Sequence, residues 1–254
     1  MQKSFLHREK PPAVLLFSAE TEKNAIETIR KAVEQGAEGF CIQTEVLHPE
    51  YRNRSTYERL IRAAGDLPVY VTNYRYFSNI GLSDEAIAQG LLEMAESGAA
   101  LCDIQGDLFR PSPGEITTEA EAVERQCKLV EQLHARGAEV LMSSHVYRFT
   151  EAERVLEIAE CQQARGVDVV KIVTGAENQD QQLENLRITH LLKERLSIPY
   201  LFLSGGCCDL HRQVGPMLGC CMYLCSMDDS GENPPEQPML RKVKQIRDNW
   251  RFYK

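Results

Sequence analysis

One histidine and one lysine stand out for the chemistry they could do together. His145 closes the segment Ser143-Ser144-His145, and Lys171 follows twenty-six positions later inside Val169-Val170-Lys171-Ile172-Val173, each in a short apolar run. A lysine in such surroundings is costly to bury charged, and a low-dielectric pocket pushes it toward the neutral, nucleophilic amine. That amine can condense with a carbonyl to form a Schiff base. If the two runs are neighbouring parallel strands, imidazole and amine face one cavity, and the histidine can move protons for a ketone held by the lysine.

Placing these groups is the task of the elements around them. An apolar run at 13–19 precedes residues 22–34, where Ala25, Ile26, Ile29, Ala32 and Val33 recur at helical spacing. The couplet repeats: strands at 39–46, 68–74, 101–108, 139–147, 167–174, 199–204 and 220–226 alternate with helices at 56–64, 84–97, 118–136, 151–165, 181–196, 210–217 and 237–249. Gly36, Gly65, Gly98, Gly137 and Gly166 stand where helices stop before the next strand, as C-terminal caps do. Eight strand-helix units with strands apolar on both faces fit an α/β fold of the closed (β/α)8 TIM-barrel type, read as a single domain over residues 1–254. An open doubly wound sheet is the alternative, but no G-x-G-x-x-G loop follows an early strand. The longest irregular stretch, 228–237, follows the last strand, on the face where barrel active-site loops belong.

Composition narrows the classes. The chain has 254 residues, 43% hydrophobic and 26% charged, in the ordinary soluble globular range. Its apolar runs fall far short of the roughly 20 residues that cross a bilayer, and the short run after His7-Arg8-Glu9-Lys10 is no secretory leader, so a cytoplasmic location without membrane contact is expected. A net charge of −8 argues against a nucleic-acid surface and leaves small anions bound through local arginines. The nine cysteines lie mostly in apolar runs and read as buried thiols. Cys207, Cys208, Cys220, Cys221 and Cys225 cluster in sequence but contain no C-x-x-C pair, so no metal centre is expected.

Catalytic groups of a barrel sit at the C-terminal strand ends. There the chain offers Gln43 and Glu45 after the second strand, Asn73 and Arg75 after the third, Asp103, Gln105 and Asp107 around the fourth, His145 on the fifth, Lys171 on the sixth and Ser204 on the seventh, with Arg212 on the next helix. A nucleophile, a base and a cationic anchor then converge on one mouth, as a lysine-dependent carbonyl enzyme requires. His48, His134, His190 and His211 fall in loops or helices and read as structural or exposed.

This order of residues resembles the type I 3-dehydroquinate dehydratases over about residues 13–237. Ser143-Ser144-His145 with Tyr147 looks like the family's Ser-x-His-x-Phe strand end, and Gly166-Val167-Asp168-Val169-Val170-Lys171-Ile172 looks like its Gly-Ala-Asp-x-x-Lys strand. Arg212 matches its serine-arginine position, seven residues before Gly219, and Pro235-Glu236-Gln237 looks like its Pro-Gly-Gln loop. The resemblance implies an imine between Lys171 and a ring ketone, His145 as the general acid and base, and Arg212 with Gln237 holding the substrate carboxylate. It also implies a homodimer and no cofactor, the imine itself being the electron sink.

The departures concern the substrate shell. The family's Glu-x-Arg-x-Asp on the second strand is Cys41-Ile42-Gln43-Thr44-Glu45 here, so Cys41 and Gln43 stand at substrate-binding positions. Arg75 matches the family's third-strand arginine with a one-residue offset, and Tyr76-Phe77-Ser78-Asn79-Ile80-Gly81 replaces the glutamate and glycine pair that follows, so no carboxylate to support His145 is found. Asp103-Ile104-Gln105 replaces Asp-x-Glu, Cys220 and Asn233 replace serines, and Cys207-Cys208 has no counterpart. The expected substrate is 3-dehydroquinate or a related cyclic hydroxy-ketone carboxylate. Two rivals stand beside it. A class I aldolase of the deoxyribose-phosphate type shares the lysine strand, but would supply a second lysine near the seventh strand, where 199–206 has none. A non-catalytic ligand-binding relative would need neither Lys171 nor His145.

Overall fold

The computed structural model describes residues 3–6, 8–227 and 235–249. Strand and helix alternate along it: β1 (Ala13–Ser18), α1 (Glu22–Glu34), β2 (Gly39–Gln43), α2 (Arg54–Ala63), β3 (Val69–Thr72), α3 (Asp84–Glu96), β4 (Leu101–Gln105), α4 (Ala120–Ala135), β5 (Glu139–His145), α5 (Ala152–Gln163), β6 (Val169–Ala176), α6 (Gln179–Arg195), β7 (Tyr200–Gly206), α7 (Asp209–Leu218), β8 (Tyr223–Cys225) and α8 (Leu240–Asp248). The strands are all parallel, in the order β7-β6-β5-β4-β3-β2-β1-β8. The sheet curls until its two ends meet, where the Cys221 N–H donates to the Tyr200 carbonyl at 2.8 Å. This is the (β/α)8 barrel architecture.

Local chemistry explains the boundaries. Thr21, Asn53, Ser83 and Asn178 each accept a hydrogen bond from a backbone N–H in the first turn of α1, α2, α3 and α6. Gly36, Gly65, Gly98, Gly137 and Gly166 follow helix ends with φ between 59° and 102°, the conformation a Cβ disfavours. Ile29, Leu60, Leu91 and Leu133 of α1 to α4 pack with Leu15, Ile42, Val71 and Ile104 into one buried cluster between helices and sheet. The alternate residues Val14, Cys41, Tyr70, Leu101 and Leu141 belong to a second. Phe5 plugs the barrel floor, its ring edge-on to Tyr70 at 6.5 Å.

Several strands end sooner than their apolar runs, because the chain beyond them turns into the mouth. β3 stops at Thr72, β4 at Gln105, and residues Thr44–Val46 form a single 3-10 turn after β2. No described helix is long and apolar enough to cross a membrane. Among the described residues, no group of three or more His, Cys, Asp or Glu side chains could hold a metal ion.

Candidate active site

Lys171 and His145 lie on the adjacent strands β6 and β5, with Lys171 registered against Ser143 and Val173 against His145. Lys171 reaches Tyr70 on β3, three strands away, so its side chain crosses the barrel interior. Its Nζ lies 3.0 Å from the Tyr70 hydroxyl, 2.8 Å from the Tyr74 hydroxyl and 3.1 Å from Asp103 Oδ2. Both phenols donate to that same Oδ2, while Ser143 Oγ donates to Oδ1 at 2.6 Å. The apolar cradle expected for Lys171 is therefore corrected: the amine belongs to a buried ion pair with side chains only 5% and 0% exposed, because a charge taken from water needs partners. Burial and the Asp103 charge push both phenols well above their ordinary range, so they remain hydroxyls.

His145 is backed by a carboxylate that sequence reasoning did not find. Its Nδ1 lies 2.6 Å from Glu115 Oε2, and its backbone N–H donates to the same oxygen at 3.1 Å. Glu115 comes from the segment between β4 and α4, where the Tyr76 hydroxyl and Gln105 Nε2 hold its other oxygen. Burial alone would raise the Glu115 carboxyl, but the His145 hydrogen bond and charge, with help from Tyr76, outweigh it and hold it below its usual range. An ionised carboxylate only accepts, so Nδ1 carries the proton and Nε2 is left as an acceptor. Tyr147 stacks on the imidazole at 5.5 Å, and Tyr74 meets its edge at 5.1 Å. Tyr74 thus touches Lys171 with its hydroxyl and His145 with its ring. Glu115 and Tyr147 both have left-handed backbones, φ 48° and 55°, a cost that clusters at functional sites. The signal in the sequence was Pro111 to Glu115, a turn-rich stretch after the fourth strand on the catalytic face.

The anchors divide. Arg212 in α7 is only 9% exposed, and its Nε donates to the Ser204 carbonyl at 2.7 Å. Its remaining nitrogens have no carboxylate within ion-pair distance among the described residues. Burial lowers its pKa, with the more distant Glu236 charge the main offset. A guanidinium left this way fits a bidentate carboxylate ligand. Its charge also favours the ionised form of the Tyr147 phenol, against the larger effect of burial.

Gln237 is buried with Nε2 unpartnered among the described residues, but it lines a cavity of about 410 Å³ with Tyr223, Asp209 and Lys242, beside α7 and α8. Among the described residues, no hydrogen bond joins it to the Lys171 cluster. Arg75, expected as a substrate anchor, is held by two carboxylates: Asp84 takes its Nε and one terminal nitrogen at 2.7 and 2.9 Å, and Asp107 takes the other at 2.7 Å. Burial opposes its charge, yet these carboxylates push its pKa upward, and the pairing braces the β3 and β4 loops. Gln43 Oε1 accepts from Ser18 Oγ at 2.7 Å. Cys41 is fully enclosed beside Tyr70, its thiol pushed well up by burial. Glu45, also fully enclosed, accepts from Thr72 Oγ1 at 2.8 Å, and burial raises its carboxyl to about 7. Cys220 is buried against the Phe202 carbonyl, and Cys208 is buried while Cys207 is exposed. Asn233 and most of the irregular stretch before Gln237 lie outside the described residues.

The family model for type I 3-dehydroquinase matches residues 14–250. No curated protein matches the chain in sequence. Among solved structures, it is similar to 3-dehydroquinate dehydratase from Geobacillus kaustophilus HTA426, at 15% identity over 94% of this chain and 90% of that one, with a TM-score of 0.80. The type I enzyme from Clostridium difficile, solved with covalently modified comenic acid, gives 16% identity over 98% and 96% with a TM-score of 0.81. The Enterococcus faecalis enzyme gives 13% identity over 98% and 99% with a TM-score of 0.74. At such identities these likenesses establish the fold.

Proposed function

Because the chain belongs to the type I 3-dehydroquinase family, we propose that it is a carbon-oxygen lyase that removes water from 3-dehydroquinate, or from a closely related cyclic β-hydroxy ketone carboxylate, through an imine on Lys171. The single observation that carries this reading is the joint placement of a buried lysine and a carboxylate-backed histidine around one tyrosine, Tyr74.

The Lys171 amine adds to the ring ketone and water leaves, forming a protonated imine. His145 Nε2 then takes a proton from the adjacent carbon. The electron pair flows toward the cationic nitrogen, which lies against the Asp103 carboxylate. The β-hydroxyl departs as water with a proton returned by His145, and hydrolysis of the imine frees the enone. Glu115 holds the imidazole in the required tautomer and stabilises its cationic form. Arg212 takes the substrate carboxylate. With Cys41 enclosed and Gln43 paired to Ser18, ring hydroxyls meet fewer charged partners than the family pattern implies. A cytoplasmic homodimer completes the same reading, and sedimentation would test the assembly.

Mixing the protein with 3-dehydroquinate should give growing ultraviolet absorbance from the conjugated enone. Lys171→Met should abolish it by at least about 1000-fold while the circular dichroism stays that of the parent. Absorbance that grows equally with the variant would rule out lysine chemistry.

A further inference from the structure

We propose that Tyr74, backed by Asp103, is a second catalytic proton carrier, serving the making and breaking of the imine at Lys171 while His145 serves the carbon acid. The inference rests on the lysine chemistry proposed above and assigns part of it to a different residue.

An ammonium has three N–H donors and no acceptor. Around Lys171 Nζ stand three acceptors, the hydroxyls of Tyr70 and Tyr74 and Asp103 Oδ2, at 3.0, 2.8 and 3.1 Å. The resting site is therefore a complete cradle for the charged amine, which must release a proton before it can attack a ketone. No hydrogen bond joins His145 to Lys171 among the described residues, and the contact between His145 and Tyr74 is ring against ring. A proton leaving Nζ meets a phenol or Asp103 first.

The two phenols are not equivalent. Tyr70 lies within β3 with its ring against Phe5 at the barrel floor. Tyr74 lies beyond the strand end, beside His145, where a ligand entering from the mouth arrives. Its hydroxyl already donates to Asp103 Oδ2 while accepting from Nζ, and Ser143 Oγ braces the opposite carboxylate oxygen. Other ionisable groups near this cluster include Glu45 and Cys102, which sense the Asp103 charge, and the enclosed Cys41 thiol.

The step balances without an outside reagent. Tyr74 passes its proton to Asp103 and takes one from the ammonium, leaving a neutral amine and a neutral carboxyl. The amine attacks the carbonyl carbon, and a second nitrogen proton moves to the new oxygen through the same hydroxyl. The Asp103 proton then returns through Tyr74 to that oxygen. The carbon-oxygen bond breaks, water leaves, and the protonated imine faces an ionised Asp103. Two protons have moved from nitrogen to the departing water, and Tyr74 and Asp103 end as they began.

The test is the rate of adduct formation in full-length protein with 3-dehydroquinate and borohydride, followed by intact mass for the parent, Tyr74→Phe and Tyr70→Phe. Tyr74→Phe should trap about 100-fold more slowly at saturation, with an unchanged half-saturating concentration, and Tyr70→Phe should lose less. Equal saturated rates for parent and Tyr74→Phe, or a loss confined to the half-saturating concentration, would overturn the assignment. A parent that forms no adduct would instead overturn the lysine chemistry beneath it. If Tyr74→Phe fails to fold, 3-fluorotyrosine at position 74 keeps the hydroxyl but changes its acidity. A trapping rate altered more than about threefold supports the relay, and an unaltered one overturns it.

Discussion

At the scale of single residues, the base we propose rests on Glu115. A histidine that abstracts a carbon-bound proton needs its other nitrogen engaged, and Glu115 engages both Nδ1 and the backbone N–H of His145. Glu115→Gln keeps an acceptor but removes the charge that stabilises the imidazolium. Turnover of 3-dehydroquinate should fall by about 100-fold while borohydride trapping at Lys171 persists, since that bond is made elsewhere. Equal turnover in parent and variant would show that Glu115 does not serve the base. The positions of His145 on β5, Lys171 on β6 and Arg212 on the helix after β7 were legible in the sequence because each falls in a strand or helix pattern of fixed spacing. Glu115 was not, because its partner lies thirty residues away across a loop whose path no periodicity reports. Tyr70 and Tyr74 escaped for another reason: an aromatic side chain in an apolar strand reads as packing, and only coordinates reveal where its hydroxyl points.

At the scale of elements, the β4–α4 segment is what the site depends on most. A Cβ added at Gly106 would come within 2.5 Å of the Glu115 carbonyl oxygen, so the glycine lets this segment press against the barrel rim. The Arg75 brace joins the same region, tying the loop after β3 to Asp84 of α3 and Asp107 after β4. The two carboxylates that claim this strand-end arginine could not be seen from its position in the sequence. The alternation of strands and helices was readable throughout, and α1 begins and ends where its periodicity does. The early ends of β3 and β4 were not, since apolar residues such as Tyr74 and Leu108 remain buried after the ladder stops.

At the scale of the molecule, closure of the barrel buries ionisable groups whose titration is coupled to folding. Burial raises Glu45 to about 7, so its contribution to stability is complete below the ordinary carboxyl range near 4.5 and is lost as pH rises through 7. His211 behaves oppositely. Burial, with the nearby Arg212 charge, lowers it to about 3, so its contribution is complete above 6.5 and is lost as pH falls toward 3. Between about 4.5 and 6.5 the two slopes offset each other. Glu45→Gln should therefore uncover the histidine slope, the melting temperature rising by roughly 5 °C more than that of the parent between pH 4.5 and 6.5. Parallel melting curves for the two proteins across that window would mean that Glu45 ionises normally in the fold.

The most direct measurement is the mass of the protein after incubation with 3-dehydroquinate and borohydride, followed by peptide mapping. The account predicts one reduced ligand per chain, attached to the peptide that carries Lys171. A folded protein whose mass does not change, or an adduct on any other lysine, would contradict it.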